Sequence, residues 1–244
     1  MELRTLFEDW AQFTGKRFSD RQWLLAKWEV VDGVVWSREK IEVMMKTVIR
    51  YLDLKPEHSL ADLGCGGGWI LDMLAAKTSY SLGVDFSWNM LSNAGSLIPP
   101  KRLVQGEIGR LPLKEGAFDR VLCYFVLINM MDDNAVERSL LDMFRVVKKG
   151  GRVVVGQMPD RAGSPDYDLA KGEYFDYCAE VFPVGVNHRD ILRAPQKLFD
   201  KGKLEAFLKK EGVPYRIEPS FNPFYRPGAP ETVKWRFDLV LEKR

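Results

Sequence analysis

The fold is decided by the stretch Leu60-Ala61-Asp62-Leu63-Gly64-Cys65-Gly66-Gly67-Gly68-Trp69, which Gly83-Val84-Asp85 follows. An apolar run that ends in a carboxylate and breaks into glycines before an apolar helical run predicts a strand, a tight loop and a helix N-terminus. Glycine takes positive φ freely and lets a ligand approach the main chain. Asp85 comes about twenty residues later, where a doubly wound sheet offers a carboxylate to the two hydroxyls of a ribose. The pattern therefore predicts a nucleoside-cofactor site.

The glycine spacing distinguishes between two kinds of nucleoside cofactor. A dinucleotide site has G-x-G-x-x-G, whose third glycine permits close helix packing beside a pyrophosphate. Counting from Gly64, that third position holds Trp69, and Gly68 comes one residue too early. A nicotinamide-dependent dehydrogenase is therefore an alternative against which Trp69 argues. The pattern D-x-G-x-G-x-G from Asp62 instead resembles the first motif of the class I S-adenosylmethionine-dependent methyltransferases.

This resemblance implies S-adenosyl-L-methionine as the cofactor and S-adenosyl-L-homocysteine as its product. In the family, the loop backbone holds the methionine part, the acid before the loop assists near it, and the second acid takes the ribose. The contacts that the resemblance implies in this part of the chain are Asp62, Gly64, Cys65, Gly66, Gly68, Asp85, Phe86 and Met90.

A second block extends the resemblance beyond the glycine loop. Gly106-Glu107-Ile108, Leu111-Pro112 and the run Phe118–Leu127 resemble the family's GD…LPF…FDVV block in order and spacing. In the family the acidic residue of this block faces the adenine amino group, and the amide of the next residue meets a ring nitrogen. The resemblance implies Glu107 and Ile108 for these contacts, with glutamate replacing the commoner aspartate.

The end of the fourth predicted strand and the following helix-to-strand junction complete the resemblance. Cys123 and Tyr124 fall where the family has backbone contacts to the methionine amino group. The run Arg145–Val155 resembles the family's helix-turn-strand segment LKPGGRLVI. Together the similarities cover residues 55–158.

The resemblance implies an α/β fold: a doubly wound, Rossmann-like, seven-stranded and mostly parallel sheet with an antiparallel last strand and helices on both faces. Hydrophobic periodicity predicts a helix over 41–52 and another after the cap residue Ser87. The alternation in 235–242 predicts an antiparallel strand with one drier face, and Lys148–Gly151 predicts the end of a helix. The other strands are predicted at 59–63, 81–85, 103–107, 121–125, 153–156 and 215–218, and further helices at 69–76, 136–147 and 204–208.

The chain divides into four parts, which we expect to form one domain. Residues 1–54 are predicted as an N-terminal helical cap with the first helix of the sheet, and 55–158 as the cofactor-binding core. Residues 159–195 have no long period and are predicted as an insertion that covers the substrate, whose aromatic residues are either core or pocket wall. Residues 196–244 complete the same domain with a helix and a β-hairpin.

Composition narrows the setting of the protein. Lys and Arg number 36 and Asp and Glu 34, a formal net charge of +2, so no overall field attracts a polyanion. The three cysteines, Cys65, Cys123 and Cys178, are far apart and lack a C-x-x-C pair, which argues against a disulfide framework and a structural zinc, and no metal is predicted. No run of eighteen apolar residues and no signal-peptide core occurs. We expect a cytoplasmic protein without a membrane span, and the oligomeric state stays open.

Methyl transfer from a sulfonium demands little acid–base chemistry, so a general base is optional. The chain has two histidines. His58 precedes the first core strand, at the edge opposite the cofactor, and is predicted as a surface residue. His188 lies in the insertion and is the candidate catalytic base or substrate contact, against the leading alternative of a surface loop residue.

The acceptor is predicted to be a small molecule that is methylated on oxygen or nitrogen. Enzymes of this fold that methylate nucleobase amines usually carry [DNS]-P-P-[YFW] after the fourth strand, where this chain has Cys123–Val126. Without this motif or a basic run, the sequence argues against a nucleic-acid partner. The alternatives are a protein or RNA methyltransferase, and a non-catalytic module that binds S-adenosylmethionine.

Overall fold

The computed structural model describes residues 28–31, 34–166, 168–169, 172–173, 196–223 and 228–244. The strands in this part of the chain are β1 (Trp28–Val31), β2 (Val34–Ser37), β3 (Ser59–Leu63), β4 (Tyr80–Asp85), β5 (Leu103–Gln105), β6 (Phe118–Tyr124), β7 (Val147–Pro159), β8 (Tyr215–Phe221) and β9 (Thr232–Glu242). The helices are α1 (Arg38–Leu52), α2 (Trp69–Ala75), α3 (Trp88–Ala94), α4 (Asp133–Val146) and α5 (Lys201–Lys210). Short 3₁₀ turns lie at Pro100–Arg102, Leu127–Asn129 and Arg161–Gly163.

Seven strands form one mixed sheet in the order β5-β4-β3-β6-β7-β9-β8. Strand β9 runs antiparallel to both of its neighbours, and the other six strands are parallel to one another. The predicted doubly wound, Rossmann-like sheet is confirmed. Its strand order reverses between β3 and β6, and ligands of open α/β sheets bind in the crevice outside the carboxyl ends of strands at such a point.

Helices cover both faces of this sheet, as the sequence predicted. On one face α1 and α2 pack against alternate residues of the central strands, among them Leu60, Leu122 and Val154. On the other face α4 and α5 pack against the residues between them, such as Ala61 and Val153. Because both faces are buried, the central strands are continuous apolar runs, which is usual for a parallel sheet.

Local expectations were wrong at the N-terminal end. Residues 28–31 and 34–37 pair as an antiparallel hairpin, β1–β2, where a helical cap was predicted over this part of 1–54. Residues 1–27 lie outside the described part of the chain. The helix that follows is α1, so the predicted first sheet helix is confirmed. The four-part division of the chain stays a prediction.

Two element ends also differ from the sequence prediction. The third predicted strand reached residue 107, whereas β5 ends at Gln105 and leaves Glu107 in the following turn. The segment Lys148–Gly151 was predicted to stop a helix, but α4 already ends at Val146 and the segment belongs to β7. Gly150 has φ of +75°, so the chain bends inside the strand, and buried Val147 pairs with Phe118 before the bend.

The prediction of one drier face on the last strand is wrong. Strand β9 is an inner strand between β7 and β8, and its residues are buried on both faces, since Phe237 and Leu239 lie in one core and Val240 in the other. Arg236 and Asp238, which belong to the face opposite the one predicted to be drier, are 3% and 0% exposed. Burial of such groups requires hydrogen-bond partners, and the strand ends around them supply these partners.

We expect Gly156→Ala to destabilise the fold, because a Cβ at this position would lie 1.9 Å from Cε2 of Tyr124. Overpacking of this kind costs about 1–3 kcal/mol or more in the free energy of unfolding. Chemical denaturation of the variant measures this loss. Gly202→Ala is the matched control, because Gly202 lies in helix α5, and there the change should be neutral or stabilising by up to about 1 kcal/mol. Equal midpoints for the two variants would contradict the close packing of Tyr124 on residue 156.

Candidate functional site

The centre of the site is the bend that follows β3, at the switch point of the sheet. Gly64, Gly66 and Gly68 have φ of +74°, +51° and +80°, a region that side chains other than glycine's rarely adopt. The amide of Gly64 donates to the carbonyl oxygen of Val84 at 2.7 Å, which holds the bend against β4. A Cβ on Gly64 would lie 2.5 Å from a methyl carbon of Val126. Glycine is therefore required at position 64 by both conformation and space.

The carboxylate of Asp85 ties this bend to the loop after β4. Its Oδ2 accepts the amide of Gly66 at 2.8 Å, and its Oδ1 accepts the amide of Ser87 at 2.9 Å. The hydroxyl oxygen of Ser87 in turn accepts the amide of Met90 and caps helix α3, as the sequence predicted. A carboxylate has about four lone-pair sites, so each oxygen keeps capacity for a further donor.

Asp62 is the buried acid at the head of the glycine motif. Its side chain is almost fully buried, and its Oδ2 has no hydrogen-bond partner among the described residues. Burial, and then the negative charge of Asp85, raise the pKa of Asp62 to about 7. A buried carboxylate without its full set of partners is costly in a folded protein and often marks a binding site.

Open space lies at two glycines of the same bend. A Cβ built on Gly66 or on Gly67 would meet nothing within 4 Å, in contrast to Gly64 and Gly68. The bend thus presents bare backbone at Gly66 and Gly67 to open space, which we call the cleft, and the residue at the head of the same motif, Asp62, has a carboxylate oxygen without a donor. These two properties fit a ligand that combines a cation with groups that contact a main chain, such as an amino acid attached to a nucleoside.

The other predicted contacts near this bend lie at its walls. Cys65 is buried, and burial raises the pKa of its thiol well above the usual range, so it is a packing residue and not a nucleophile. Phe86 is half-buried directly after Asp85, and Met90 is buried in the first turn of α3. The hydrogen bond from the amide of Gly66 to Asp85 therefore brings the first motif and the second acid together.

The second predicted group borders the same cleft. The amide of Gly106 donates to the carbonyl oxygen of Asp85 at 2.9 Å, so the turn with Glu107 and Ile108 lies directly beside the ribose-acid loop. Glu107 is exposed, and Ile108 is half-buried against the core.

Cys123 and Tyr124 are the last two residues of β6, and their side chains are buried in opposite cores. Burial raises the pKa of the Cys123 thiol well above its usual range. Both side chains are committed to packing, so a ligand in the cleft could meet only their main chain. This agrees with the backbone contacts that the resemblance implied for them.

Sequence reasoning missed three features next to the cleft. Phe125, the residue directly after β6, has φ of +63°, and no glycine marked this turn. Val126 packs on Gly64. The third feature is a set of buried polar residues, which we call the Asp238 cluster; the only sequence signal for it was an acid inside an apolar strand. Its members are Tyr124, Gln157, Ser220, Arg236 and Asp238.

The structure describes one of the two histidines, His58, and not the other, His188. His188 lies outside the described residues, as do Tyr167, Tyr174 and the other aromatic residues of the predicted insertion beyond residue 173. His58 belongs to the turn before β3, at the amino edge of the sheet, where its Nδ1 accepts the amide of Lys55 at 3.1 Å. Partial burial, and then the positive charge of Arg120, lower the pKa of His58.

In the part of the chain that the structure describes, no group of three or more His, Cys, Asp or Glu side chains could hold a metal ion. Among the described helices, none combines the length and the apolar character needed to cross a bilayer.

Known proteins similar to this chain share its central part. Residues 61–155 match the family described as "Methyltransferase domain". The chain is 33% identical over 132 residues to demethylmenaquinone methyltransferase of Mycolicibacterium gilvum, covering 54% of each protein. It is 32% identical over 136 residues to demethylmenaquinone methyltransferase of Bacillus cereus, covering 52% of this chain and 56% of the relative. The chain thus spans about half the length of the curated relatives it matches.

Solved structures share the fold over nearly the full chain. Magnesium protoporphyrin IX methyltransferase of Synechocystis, solved with bound S-adenosylhomocysteine, has a TM-score of 0.60 at 18% identity and covers 97% of both chains. A S-adenosylmethionine-dependent methyltransferase of Thermotoga maritima has a TM-score of 0.58 at 19% identity, covering 98% of this chain and 100% of that one. At these identities the likeness establishes the fold alone.

The buried acid at position 62 predicts a distinct pH dependence of the ligand-free protein. Between about pH 4 and pH 7 the folded state keeps this proton, whereas the unfolded chain has released it. The contribution of Asp62 to the free energy of unfolding therefore falls as pH rises through this range, by up to about 1.4 kcal/mol per pH unit. Denaturation of the wild type and of Asp62→Asn across this range measures the difference between them.

Asp119→Asn is a control of opposite sign. Although burial opposes the shift, hydrogen bonds from Ser59 and the ion pair with Lys148 lower the pKa of Asp119. Its contribution to stability is present above the ordinary carboxyl pKa and is lost as pH falls below it. A difference between wild type and Asp62→Asn that stays constant from pH 4 to pH 7 would show that Asp62 is ionised throughout.

Proposed function

We propose that this chain, whose residues 61–155 match a methyltransferase family, is a class I S-adenosylmethionine-dependent methyltransferase that transfers a methyl group to an oxygen or nitrogen atom of a small-molecule metabolite. The observation that carries this proposal is the unsatisfied carboxylate of Asp62 at the head of the motif whose Gly66 and Gly67 leave their backbone open. A carboxylate in that position is matched by the ammonium group of a methionine moiety. The bare loop has space for the moiety's main-chain-like atoms.

In this proposal, different residues around the cleft bind the methionine, ribose and adenine parts of the cofactor. The bend that contains Gly64, Cys65, Gly66 and Gly68 holds the methionine part, together with Asp62 and the main chain of Cys123 and Tyr124. The carboxylate of Asp85 accepts the ribose hydroxyls with its remaining lone pairs while it keeps its bonds to the backbone. The adenine lies among Phe86, Met90, Glu107 and Ile108.

The protonation of Asp62 adds a consequence for binding. With a pKa of about 7 in the ligand-free protein, Asp62 is partly protonated at neutral pH. A cationic ligand favours the ionised form, so binding releases a proton from this carboxyl. The affinity for the cofactor should therefore rise as pH increases through about 7.

The bound cofactor would supply an electrophilic methyl group on a sulfonium, whose positive charge disappears on transfer. The protein then has mainly to orient the acceptor and to exclude water from the reacting atoms. An acceptor hydroxyl would use a base within hydrogen-bond reach, for which His188 stays the prediction. An amine that arrives deprotonated would need none.

The similarity to proteins named demethylmenaquinone methyltransferase supports a small-molecule acceptor. That similarity covers about half of the chain, and the family match ends at residue 155. The acceptor side of the protein therefore depends on residues beyond the match. A protein or RNA acceptor, and a module that binds the cofactor without turnover, are the two alternatives.

A transfer assay separates these functions. The protein is incubated with methyl-labelled S-adenosylmethionine and with three separate pools: small metabolites that include quinols, total RNA, and unfolded and folded proteins. Label in the metabolite pool supports the proposal, and label in RNA or protein alone overturns it in favour of the first alternative. Tight binding of S-adenosylhomocysteine without label in any pool indicates the non-catalytic module.

Asp85→Ala should weaken the binding of S-adenosylhomocysteine by about ten- to a hundredfold. The change removes charge-assisted hydrogen bonds worth about 1.5–3 kcal/mol and also frees the loop amide of Gly66. Isothermal titration calorimetry measures the dissociation constants of the wild type and of the variant. Glu57→Ala, an exposed acid at the opposite edge of the sheet, is the control and should keep the wild-type value. An Asp85→Ala protein that binds as tightly as wild type would remove the ribose role from this residue.

Gly67→Val tests the open cleft separately from the fold. The new side chain would meet no protein atom near its Cβ, so the midpoint of thermal unfolding should stay within a few degrees of wild type. The same side chain would occupy the space proposed for the cofactor. We therefore expect binding of S-adenosylhomocysteine to weaken by at least about tenfold, the effect of about 1.4 kcal/mol of lost contact. Normal binding by a stable variant would move the ligand away from this loop.

A further inference from the structure

The Asp238 cluster is a buried polar network that the proposed chemistry does not use. Its residues come from four strands, β6, β7, β8 and β9, and each of them is no more than 3% exposed. Asp238 is its centre: Oδ1 accepts the hydroxyl of Ser220 at 2.5 Å and the amide of Gln157 at 2.9 Å, and Oδ2 accepts the phenol of Tyr124 at 3.0 Å. Arg236 donates to the carbonyl oxygen of Gln157 at 3.0 Å.

Irregular strand pairing explains why an acid lies here. The pairing of β7 with β9 shifts register between Val155 and Met158, and that of β8 with β9 shifts between Pro219 and Ser220. These shifts leave the amide of Gln157 directed to the carboxylate of Asp238 rather than to a strand carbonyl. Gln157 itself has φ of +66°, a conformation that costs about 1 kcal/mol or more and persists only where the surroundings impose it.

Tyr124 connects this network to the cleft. Its ring lies across Gly156, where a Cβ would be 1.9 Å from Cε2, and its hydroxyl reaches Asp238. Tyr124 is the last residue of β6, and the next residue, Phe125, has φ of +63° and donates its amide to the carbonyl oxygen of Gly156 at 3.4 Å. The ring of Tyr124 also contacts that of Phe125 edge-on, with centroids 5.2 Å apart. The phenol therefore anchors the start of a strained turn.

The end of this turn touches the glycine bend. Val126 packs so closely on Gly64 that a Cβ there would lie 2.5 Å from its Cγ2. A continuous series of contacts thus runs from the carboxylate on β9, through the phenol and the left-handed turn after β6, to the first glycine of the loop. The links are hydrogen bonds, van der Waals contacts and the main chain from Tyr124 to Val126, between buried and half-buried groups. Such contacts transmit small displacements because they are close-packed.

We infer that Tyr124 and Asp238 are positioning residues for the cofactor site: through the turn at Phe125 and Val126 they hold the Gly64 bend in the conformation that accepts the methionine part. This inference rests on the proposed function only for the identity of the ligand; the contacts from Asp238 to Gly64 are independent of that function. Neither side chain touches the cleft, so the effect is indirect and acts on the backbone of the loop.

The network is fully formed when Asp238 is ionised, because all three of its partners donate hydrogen bonds to it. Burial raises the pKa of Asp238 to about 6, against the opposing effect of these hydrogen bonds and of the charge on Arg236. Burial, and then the negative charge of Asp238, raise the pKa of Tyr124 and of Tyr51, so both phenols keep their protons. Experiments at pH 8 therefore observe one protonation state of the cluster.

The test compares two tyrosine-to-phenylalanine variants at pH 8. Tyr124→Phe removes the hydroxyl that binds Asp238 and keeps the ring and the main chain. Tyr51→Phe is the matched control. The hydroxyl of Tyr51 also donates a hydrogen bond, to the carbonyl oxygen of Pro219 at 2.7 Å, and its ring packs in the same core as that of Tyr124, but Tyr51 does not belong to the cluster. Calorimetry measures the binding of S-adenosylhomocysteine, and hydrogen exchange with mass spectrometry measures protection of residues 60–69 without ligand.

Tyr124→Phe should bind S-adenosylhomocysteine about five- to tenfold more weakly and should exchange faster over residues 60–69. Tyr51→Phe should change neither quantity, even where thermal unfolding shows that both variants lose stability. Unchanged binding and exchange in Tyr124→Phe, or equal changes in both variants, would overturn the positioning role. If Tyr124→Phe does not fold, Ser220→Ala, which removes one donor to the same carboxylate, should give smaller shifts in the same direction, and their absence overturns the role as well.

The two proposals fail in different ways. A wild-type protein that does not bind S-adenosylhomocysteine contradicts the proposed function, and the exchange measurement then still tests the inference on the ligand-free loop. Normal wild-type binding together with an unaffected Tyr124→Phe protein contradicts the inference alone.

Discussion

The hydrogen bond from the amide of Gly66 to the carboxylate of Asp85 joins the two loops on which the site depends. Parallel pairing of β3 with β4 brings the carboxyl ends of these strands to the same edge of the sheet. The glycines then let the first loop turn back far enough for its amide to reach the acid of the second loop. Together with the bond from the amide of Gly64 to Val84, this bond fixes the bare backbone at Gly66 and Gly67 relative to the acid proposed for the ribose.

The same convergence brings two carboxylates into one buried region. Asp85 is satisfied by two backbone amides, whereas Asp62 has an oxygen without a donor among the described residues, and its pKa rises accordingly. The free energy that is lost by burying Asp62 is offset by the apolar packing of helices on both faces of the sheet. The arrangement is typical of a functional site, where local stability is given up for a group that a ligand completes.

Strong local patterns made the first half of the sheet predictable. The bounds of β3 were predicted to the residue, and those of α1, α2 and β4 within a few residues, because the apolar period, the caps and the glycines all indicated the same elements. The polar alternation in β9 was misleading, since it looks the same whether a polar face meets water or a buried network. Only the positions of β7 and β8 on either side of that strand decide between these environments.

The unpredicted parts of the site share this non-local origin. Phe125 takes a left-handed conformation without glycine because Tyr124 before it is fixed by a residue more than a hundred positions away, and no window of local sequence contains both partners. The same holds for Asp238, whose partners come from three other strands.

A second anchoring point lies where the segment predicted to cover the substrate begins and ends. Asp160, directly after β7, forms a bridge with Phe199 and an ion pair with Lys201 at 2.7 Å. The chain therefore leaves the sheet after β7 and returns to it before α5 at one place, next to the bulge that contains Gln157. Arg236 of the Asp238 cluster also donates to Gln196, close to this returning end. The buried network thus contacts both the turn that borders the cofactor loop and the base of the segment predicted to cover the substrate, so a change in one strand, β9, can alter both sides of a transfer site without touching either ligand.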